Sequence, residues 1–323
     1  MKTLWRRLAS LTKREGLGGV IRRHATRHGW YPVNLDSQKT AKYWEKQPQY
    51  GSNWYSFPIT SAYIIESVTG QSEKPITFWL IEKYLTDLPI KRLLVVCCGH
   101  GNKERGLAEV GLFEKCDAYD ISEGAINSAR ELAVRAGVAH KIHYGFMDFN
   151  SPGLMENEYD LVLCNGALHH IKNVEACVRA LERSLKVGGW LWASEFTGPS
   201  RYRYSVQEVA AINKGKELLF PELGGSRPFQ PDQLKPKLDA DPSEAIRSCE
   251  IEGVLRTYFA DLEVKPYGGN ILMRALDQEF FQKFDNTNDE HVRRVKAIIE
   301  LEKELLRTGH RSHHAYFIAR KTM

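Results

Sequence analysis

The stretch Leu93-Leu94-Val95-Val96-Cys97-Cys98-Gly99-His100-Gly101 decides how this chain is read. An unbroken apolar run ending at two spaced glycines predicts a buried strand that turns sharply into a helix. Glycine there lets the backbone bend tightly and lets a ligand approach the main chain. Asp120 follows nineteen residues after Gly101, just past a second apolar run, Cys116–Tyr119. A carboxylate at the end of a second strand can accept hydrogen bonds from both hydroxyls of an adenosine ribose. Either feature alone reads equally as a tight turn or a helix-capping aspartate. Together, in a strand–turn–helix setting, they point to an adenosine-containing cofactor.

Further apolar runs lie at Ile142–Phe146, Leu161–Cys164 and Trp190–Phe196, with helical patterns near 102–110, 123–136 and 174–185. Alternation of apolar strands with helices predicts an α/β fold whose parallel sheet is covered on both faces. Lys186-Val187-Gly188-Gly189 reads as a helix stop feeding the next strand. After Phe196 the alternation breaks, leaving one helical stretch from about 205 to 219. Asp241-Pro242-Ser243-Glu244 has the residue types of a helix N-cap, first-turn proline and reciprocal capping acid, and predicts a helix to about Phe259. Leu262–Pro266 and Ala315–Ala319 are the last strand candidates. A helix between them carries Val292, Val295, Ile298, Ile299, Leu305 and Leu306 on one stripe. The expected organisation is a helical, aromatic-rich N-terminal extension over 1–90 and a core over 91–323, with insertions at about 198–257 and 275–310. Tyr43, Trp44, Tyr50, Trp54, Tyr55, Phe57 and Tyr63 make the extension dense in rings.

With 323 residues, 42% of them hydrophobic and 26% charged, the chain is neither disordered nor fibrous. A net charge of +5 is too weak to argue for nucleic acid. Residues 1–30, however, hold eight Lys/Arg against the single acid Glu15. Such an arm can touch anionic lipid, nucleic acid or an acidic partner, or be the solvated face of an amphipathic helix. No signal peptide or membrane span is expected, which suggests a cytoplasmic protein with peripheral contact at the inner membrane face through residues 1–30. The six cysteines (Cys97, Cys98, Cys116, Cys164, Cys177, Cys249) contain no C-x-x-C pair, so reduced thiols and no metal site are expected.

The cofactor is narrowed by Glu104, which stands where a dinucleotide fingerprint has its third glycine. A carboxylate repels a pyrophosphate at that helix terminus. S-adenosylmethionine has no phosphate, and its sulfonium suits an acidic, partly aromatic pocket.

At these residues the sequence resembles the class I S-adenosylmethionine-dependent methyltransferases, well over about 90–196 and loosely over 258–320. Cys97-Cys98-Gly99-His100-Gly101 matches the end of the family's first loop, and Asp120 its ribose-binding acid. Phe146-Met147-Asp148-Phe149 matches the adenine-contacting stretch. Asp160 to His170 resembles the fourth strand and its loop, and Leu185 to Leu191 the start of the fifth strand. The resemblance implies a Rossmann-like, seven-stranded, mostly parallel sheet with an antiparallel last strand and helices on both faces. It implies a cofactor site of Cys98, Gly99, His100, Gly101, Asp120, Ile121, Met147, Asp148, Phe149, Asn165 and Gly166. There are two departures: Val95 replaces the family's acid, and Cys97 its first glycine.

The implied chemistry is in-line methyl transfer to a small-molecule or saccharide acceptor, with a hydroxyl oxygen as the expected atom. Such an acceptor needs a base. His169, His170 and Glu195 follow the fourth and fifth strands and are the candidates, the alternative being a packing or hydrogen-bonding role. Trp54 and Tyr55, with Arg201, Tyr202, Arg203 and Tyr204, are candidate acceptor contacts; core packing and a solvated loop are the alternatives. Gly198-Pro199-Ser200-Arg201, the segment from Asp241 to Ser248, and Tyr267-Gly268-Gly269 resemble bacterial methyltransferases of glycan and secondary-metabolite gene neighbourhoods, which tilts the acceptor toward a saccharide. Asn165 lacks the following Pro-Pro-Tyr of DNA adenine methylation. Two other readings stay open. One is an RNA methyltransferase using the basic arm, although no RNA-binding module is visible. The other is a non-catalytic binding protein on a decayed fold, motivated by Val95 and Cys97.

Overall fold

The computed structural model describes residues 35–46, 53–219, 222–224 and 227–322. The basic arm and Tyr50 lie outside the described residues. Among the described residues, three helices come first: α1 (Leu35–Glu45), α2 (Pro58–Thr69) and α3 (Ile76–Tyr84). Then strands and helices alternate: β1 (Ile90–Val96), α4 (Asn102–Glu109), β2 (Phe113–Asp120), α5 (Glu123–Arg135), β3 (Ile142–Phe146), β4 (Tyr159–Asn165), α6 (Val174–Ser184) and β5 (Leu185–Phe196). Beyond them come α7 (Val206–Glu217), α8 (Lys235–Ala240), α9 (Ile251–Tyr258), β6 (Glu263–Gly268), α10 (Leu272–Ala275), α11 (Gln278–Lys283), α12 (Asp289–Arg307) and β7 (His314–Arg320). One seven-stranded sheet results, in the order β3-β2-β1-β4-β5-β7-β6, parallel except for β7, which is antiparallel to both of its neighbours. This is the sheet that the resemblance implied.

Strand β1 shows why its run is continuously apolar. Leu93 and Val95 point into one core with residues of α2, α3, α4, α5 and α12; Leu94 and Val96 point into a second with α6 and α9. A strand buried on both faces has no polar alternation to display.

Two expectations fail locally. Lys186–Gly189 is not a stop between helix and strand but lies inside β5, which begins at Leu185. The ladder is carried through it: Gly188 N–H donates to Lys321 O (2.8 Å) and Lys321 N–H to Gly189 O (2.9 Å). Nor do residues 241–244 open a helix. They form turns, a 3-10 turn spans Ser248–Glu250, and α9 begins only at Ile251. Asp241 Oδ1 accepts locally from Ser243 N–H (3.0 Å) and Ser243 Oγ (2.6 Å), closing a turn rather than capping a helix, and both of its oxygens also serve groups distant in sequence. Its Oδ1 accepts from Thr40 Oγ1 (2.8 Å) and Oδ2 from Trp44 Nε1 (3.1 Å), pinning α1 to this segment.

Candidate active site

The turn after β1 needs left-handed backbone at three alternate positions, with φ of 53° at Cys97, 54° at Gly99 and 73° at Gly101. Cys97 adopts this conformation without glycine's freedom. Burial pushes its thiol well above the ordinary range, so it is an inert packing group. A side chain on Gly101 would meet the Tyr144 hydroxyl and the Glu104 carboxyl. A side chain on Gly99 would meet nothing within 4 Å, because the turn opens there onto a cavity.

Asp120, at the end of β2, is buried beside this turn. Its Oδ2 accepts from Gly99 N–H and its Oδ1 from Ser122 N–H, each at 2.8 Å. Each oxygen keeps a lone pair, and the residue lines the cavity. Both ring nitrogens of His100 are buried without a partner. From the end of β3, Met147, Asp148 and Phe149 join the wall; Asn165 and Gly166 follow β4, and Ser194 and Glu195 close β5. The cavity, about 1070 Å³, therefore sits at the carboxyl ends of the parallel strands, where open α/β sheets bind ligands. That volume is above the usual range for one drug-sized ligand and leaves room for two small molecules. Ser37, Thr40 and Trp44 of α1 line it on another side.

Glu195 organises the far wall. Its Oε1 accepts from the backbone N–H groups of Ala167 (2.8 Å) and Leu168 (2.9 Å), and its Oε2 pairs with His169 Nδ1 at 2.9 Å. With an ionised carboxylate as partner, Nδ1 carries the proton and Nε2 keeps its lone pair. Burial pulls the His169 pKa down, but the Glu195 hydrogen bond and charge outweigh it and raise it above the ordinary value. His170 is opposite in character: burial and the adjacent His169 push it down to about 4, and its Nδ1 rests on Ser243 Oγ at 2.9 Å. Glu244 is buried, taking the Tyr202 hydroxyl on Oε1 and Lys237 Nζ on Oε2 at 3.0 Å. Burial alone would raise its pKa, yet the charges of Lys237, His170 and His169 hold it well below the usual carboxylate range.

Of the candidate residues, Cys98, Gly99, His100, Asp120, Ile121, Met147, Asp148, Phe149, Asn165, Gly166, His169, His170 and Glu195 all line this cavity. Gly101 shapes the turn from behind. The candidate acceptor contacts divide. Tyr55, 57% exposed, and Tyr202 face the cavity. Trp54, 3% exposed, packs instead on Tyr267 and His314. Arg201 turns to the Glu244 backbone, Tyr204 stacks on Tyr202, and Arg203 is exposed outside the cavity. Sequence reasoning missed the site positions of Lys237, Asp241, Ser243 and Glu244. The last three carried a helix-cap pattern and lay in a segment whose resemblance pointed only to the acceptor class, neither of which placed them beside His169 and His170.

Glu104 lies in the first turn of α4, behind the cofactor turn and away from the cavity lining. Neither of its oxygens has a hydrogen bond of good geometry, and burial pushes its pKa from 4.5 up to about 7. The folded protein thus holds this proton more tightly than the unfolded chain does. Its charge therefore erodes stability as pH rises from 4.5 through 7. Replacing it by Gln (E104Q) should stabilise the protein by about 2–3 kcal/mol at pH values above that window and by little below it. Thermal melts at both ends of the window measure this.

The family model described as a methyltransferase domain matches residues 94–193. Those residues form a class I S-adenosylmethionine-dependent methyltransferase domain. Among curated relatives, the domain is similar to the demethylmenaquinone methyltransferase of Bacteroides fragilis, at 30% identity over 111 residues (34% of this chain, 44% of the relative). It is also similar to the ubiquinone biosynthesis O-methyltransferase of Bordetella avium, at 25% over 134 residues (41% and 54%). The chain spans about half the length of these relatives. The methyltransferase fold extends further than the domain match. The geranyl diphosphate C-methyltransferase of Streptomyces coelicolor superposes with a TM-score of 0.55 over 90% of this chain and 100% of its own, at 10% identity. Among the described residues, no helix is long and apolar enough to cross a membrane.

Proposed function

We propose that this chain transfers a methyl group from S-adenosylmethionine to a hydroxyl oxygen of a small-molecule or saccharide acceptor. The observation that carries the reading is His169. Its imidazole is held by buried Glu195 on the wall of the same cavity that Asp120 and the glycine turn line. The cradle fits the cofactor: Asp120 has lone pairs free for two ribose hydroxyls, and Met147, Asp148 and Phe149 line the adjoining wall, which supports their role as the adenine contacts. When bound, S-adenosylmethionine supplies a methyl group already activated on sulfur. The chain's own task is to orient the acceptor, exclude water and accept the hydroxyl proton on His169 Nε2. Tyr55, Phe196, Tyr202, Tyr267 and Tyr316 give the acceptor end ring faces and hydroxyls suited to a flat or sugar face. The similarity to the Bordetella avium ubiquinone biosynthesis O-methyltransferase supports oxygen as the atom. Contact of the basic arm over residues 1–30 with anionic lipid belongs to the same proposal.

The test is label transfer from methyl-labelled S-adenosylmethionine to a panel of phenols, catechols and saccharides. An oxygen-linked methyl product is the expected result. Cofactor binding without transfer to any hydroxyl would shift the reading to another acceptor atom. Failure to bind S-adenosylmethionine or S-adenosylhomocysteine would favour a non-catalytic binding protein.

A further inference from the structure

At the acceptor end of the cavity, side chains from two distant segments converge. His169 and His170 lie on the 3-10 turn Leu168–His170 after β4, and Glu244 follows α8. One donor atom from each of the three lies within 4.8 Å of the others. Ligand atoms roughly 2 Å from one ion stand about 3–3.5 Å apart, so the three side chains must draw together by up to roughly 1–2 Å, within reach of rotamer adjustment, to complete the set.

Both imidazoles are already fixed through Nδ1, His169 by Glu195 Oε2 and His170 by Ser243 Oγ, each at 2.9 Å. A polar partner on one ring nitrogen is how proteins orient a metal-binding histidine and fix its tautomer. It leaves Nε2 as the ligating atom, and among the described residues no hydrogen bond reaches Nε2 of either ring. The charge is also favourable. Three buried carboxylates, Glu195, Asp241 and Glu244, surround the two rings, and among the described residues Lys237 is the one Lys or Arg paired with them. The Lys237 side chain is 36% exposed, so its ammonium can swing to solvent as an ion takes its place on Glu244. This departs from the expectation of no metal site, which rested on the cysteine spacing and did not weigh imidazole and carboxylate ligands.

We propose that His169, His170 and Glu244 bind one divalent transition-metal cation. Two imidazole nitrogens and one carboxylate oxygen suit Fe²⁺, Co²⁺ or Zn²⁺ and disfavour Ca²⁺ and Mg²⁺. Three protein ligands leave coordination positions open, and these face the cavity, where an acceptor oxygen can fill one. The inference rests on the hydroxyl-acceptor reading but replaces its base: with the ion bound, an acceptor hydroxyl on it would be acidified by the charge and would release its proton to solvent rather than to His169. Ion and proton are alternative occupants of His169 Nε2.

The test uses the full chain, stripped with a chelator, without cofactor or acceptor. It is titrated with Co²⁺ by visible absorption and with Zn²⁺ by calorimetry. One equivalent should bind saturably. H170A and E244Q should each weaken binding at least about tenfold, and E195Q, which removes the charge behind His169, about tenfold. E244Q keeps the shape of the buried side chain, and its circular dichroism and S-adenosylhomocysteine affinity verify its fold. No saturable cobalt spectrum, or equal affinity in wild type, H170A and E244Q, overturns the site. A cobalt site without hydroxyl methylation would overturn the acceptor reading alone, and hydroxyl methylation without a cobalt site the metal alone.

Discussion

Asp120→Ala should weaken binding of S-adenosylmethionine and S-adenosylhomocysteine by a factor on the order of a hundred to a thousand. A hydrogen bond to a charged partner contributes roughly 1.5–3 kcal/mol. Two of them, one to each ribose hydroxyl, exceed 3 kcal/mol, and every 1.4 kcal/mol is tenfold in affinity. The carboxylate also holds the glycine turn through Gly99 N–H and the start of α5 through Ser122 N–H, so alanine loosens the cradle as well as removing its acceptors. Asp120→Asn separates the two effects. Its amide keeps one acceptor and the volume, but places a donor against either a ribose hydroxyl or the backbone. Calorimetric titration should therefore show nearly the same loss of affinity as alanine with a smaller fall in melting temperature. Wild-type affinity in Asp120→Ala would remove Asp120 from the cofactor site.

The elements that were legible are those whose signal is local and apolar. Strand β3 was expected at Ile142–Phe146 and is found there; β1, β4 and the last two strands shift by a few residues at their ends. The two-sided burial of β1 makes its run continuous, and continuity needs no partner to be read. The misreadings arise where a local code is overruled from a distance. Asp241 is chemically a good cap, but its Oδ1 closes a two-residue turn on Ser243 N–H, and Thr40 and Trp44, about 200 residues earlier, tie the same carboxylate to α1. Lys186–Gly189 carries stop residues, yet pairing with the chain near Lys321 extends the strand through them. Trp54 has the chemistry of a binding residue, and only packing reveals that its ring is spent on Tyr267 and His314. Glu244 was invisible as a site residue for the same reason: its importance depends on lying beside His169 and His170, which no spacing announces.

His169→Asn should lower kcat for hydroxyl methylation by about 10²–10⁴, the usual contribution of a positioned base, while cofactor affinity stays within about twofold. The split between kcat and cofactor Kd is the informative readout, because a collapsed site would lose both. The pH profile of metal-free protein adds an independent check. The base works only when neutral, and Glu195 raises the His169 pKa above 6.5. Activity should therefore fall as pH drops through a value above that of a free histidine. In Glu195→Gln the ionised partner is gone but burial remains, so the His169 pKa should fall and the acid limb move to lower pH, even as the maximal rate declines. The glutamine still offers one acceptor to the Ala167 and Leu168 amides, which an alanine would strand. A merely structural Glu195 would lower stability and rate together and leave the limb in place. Unchanged kcat in His169→Asn would transfer the base role to another group on the wall, or to an ion bound there.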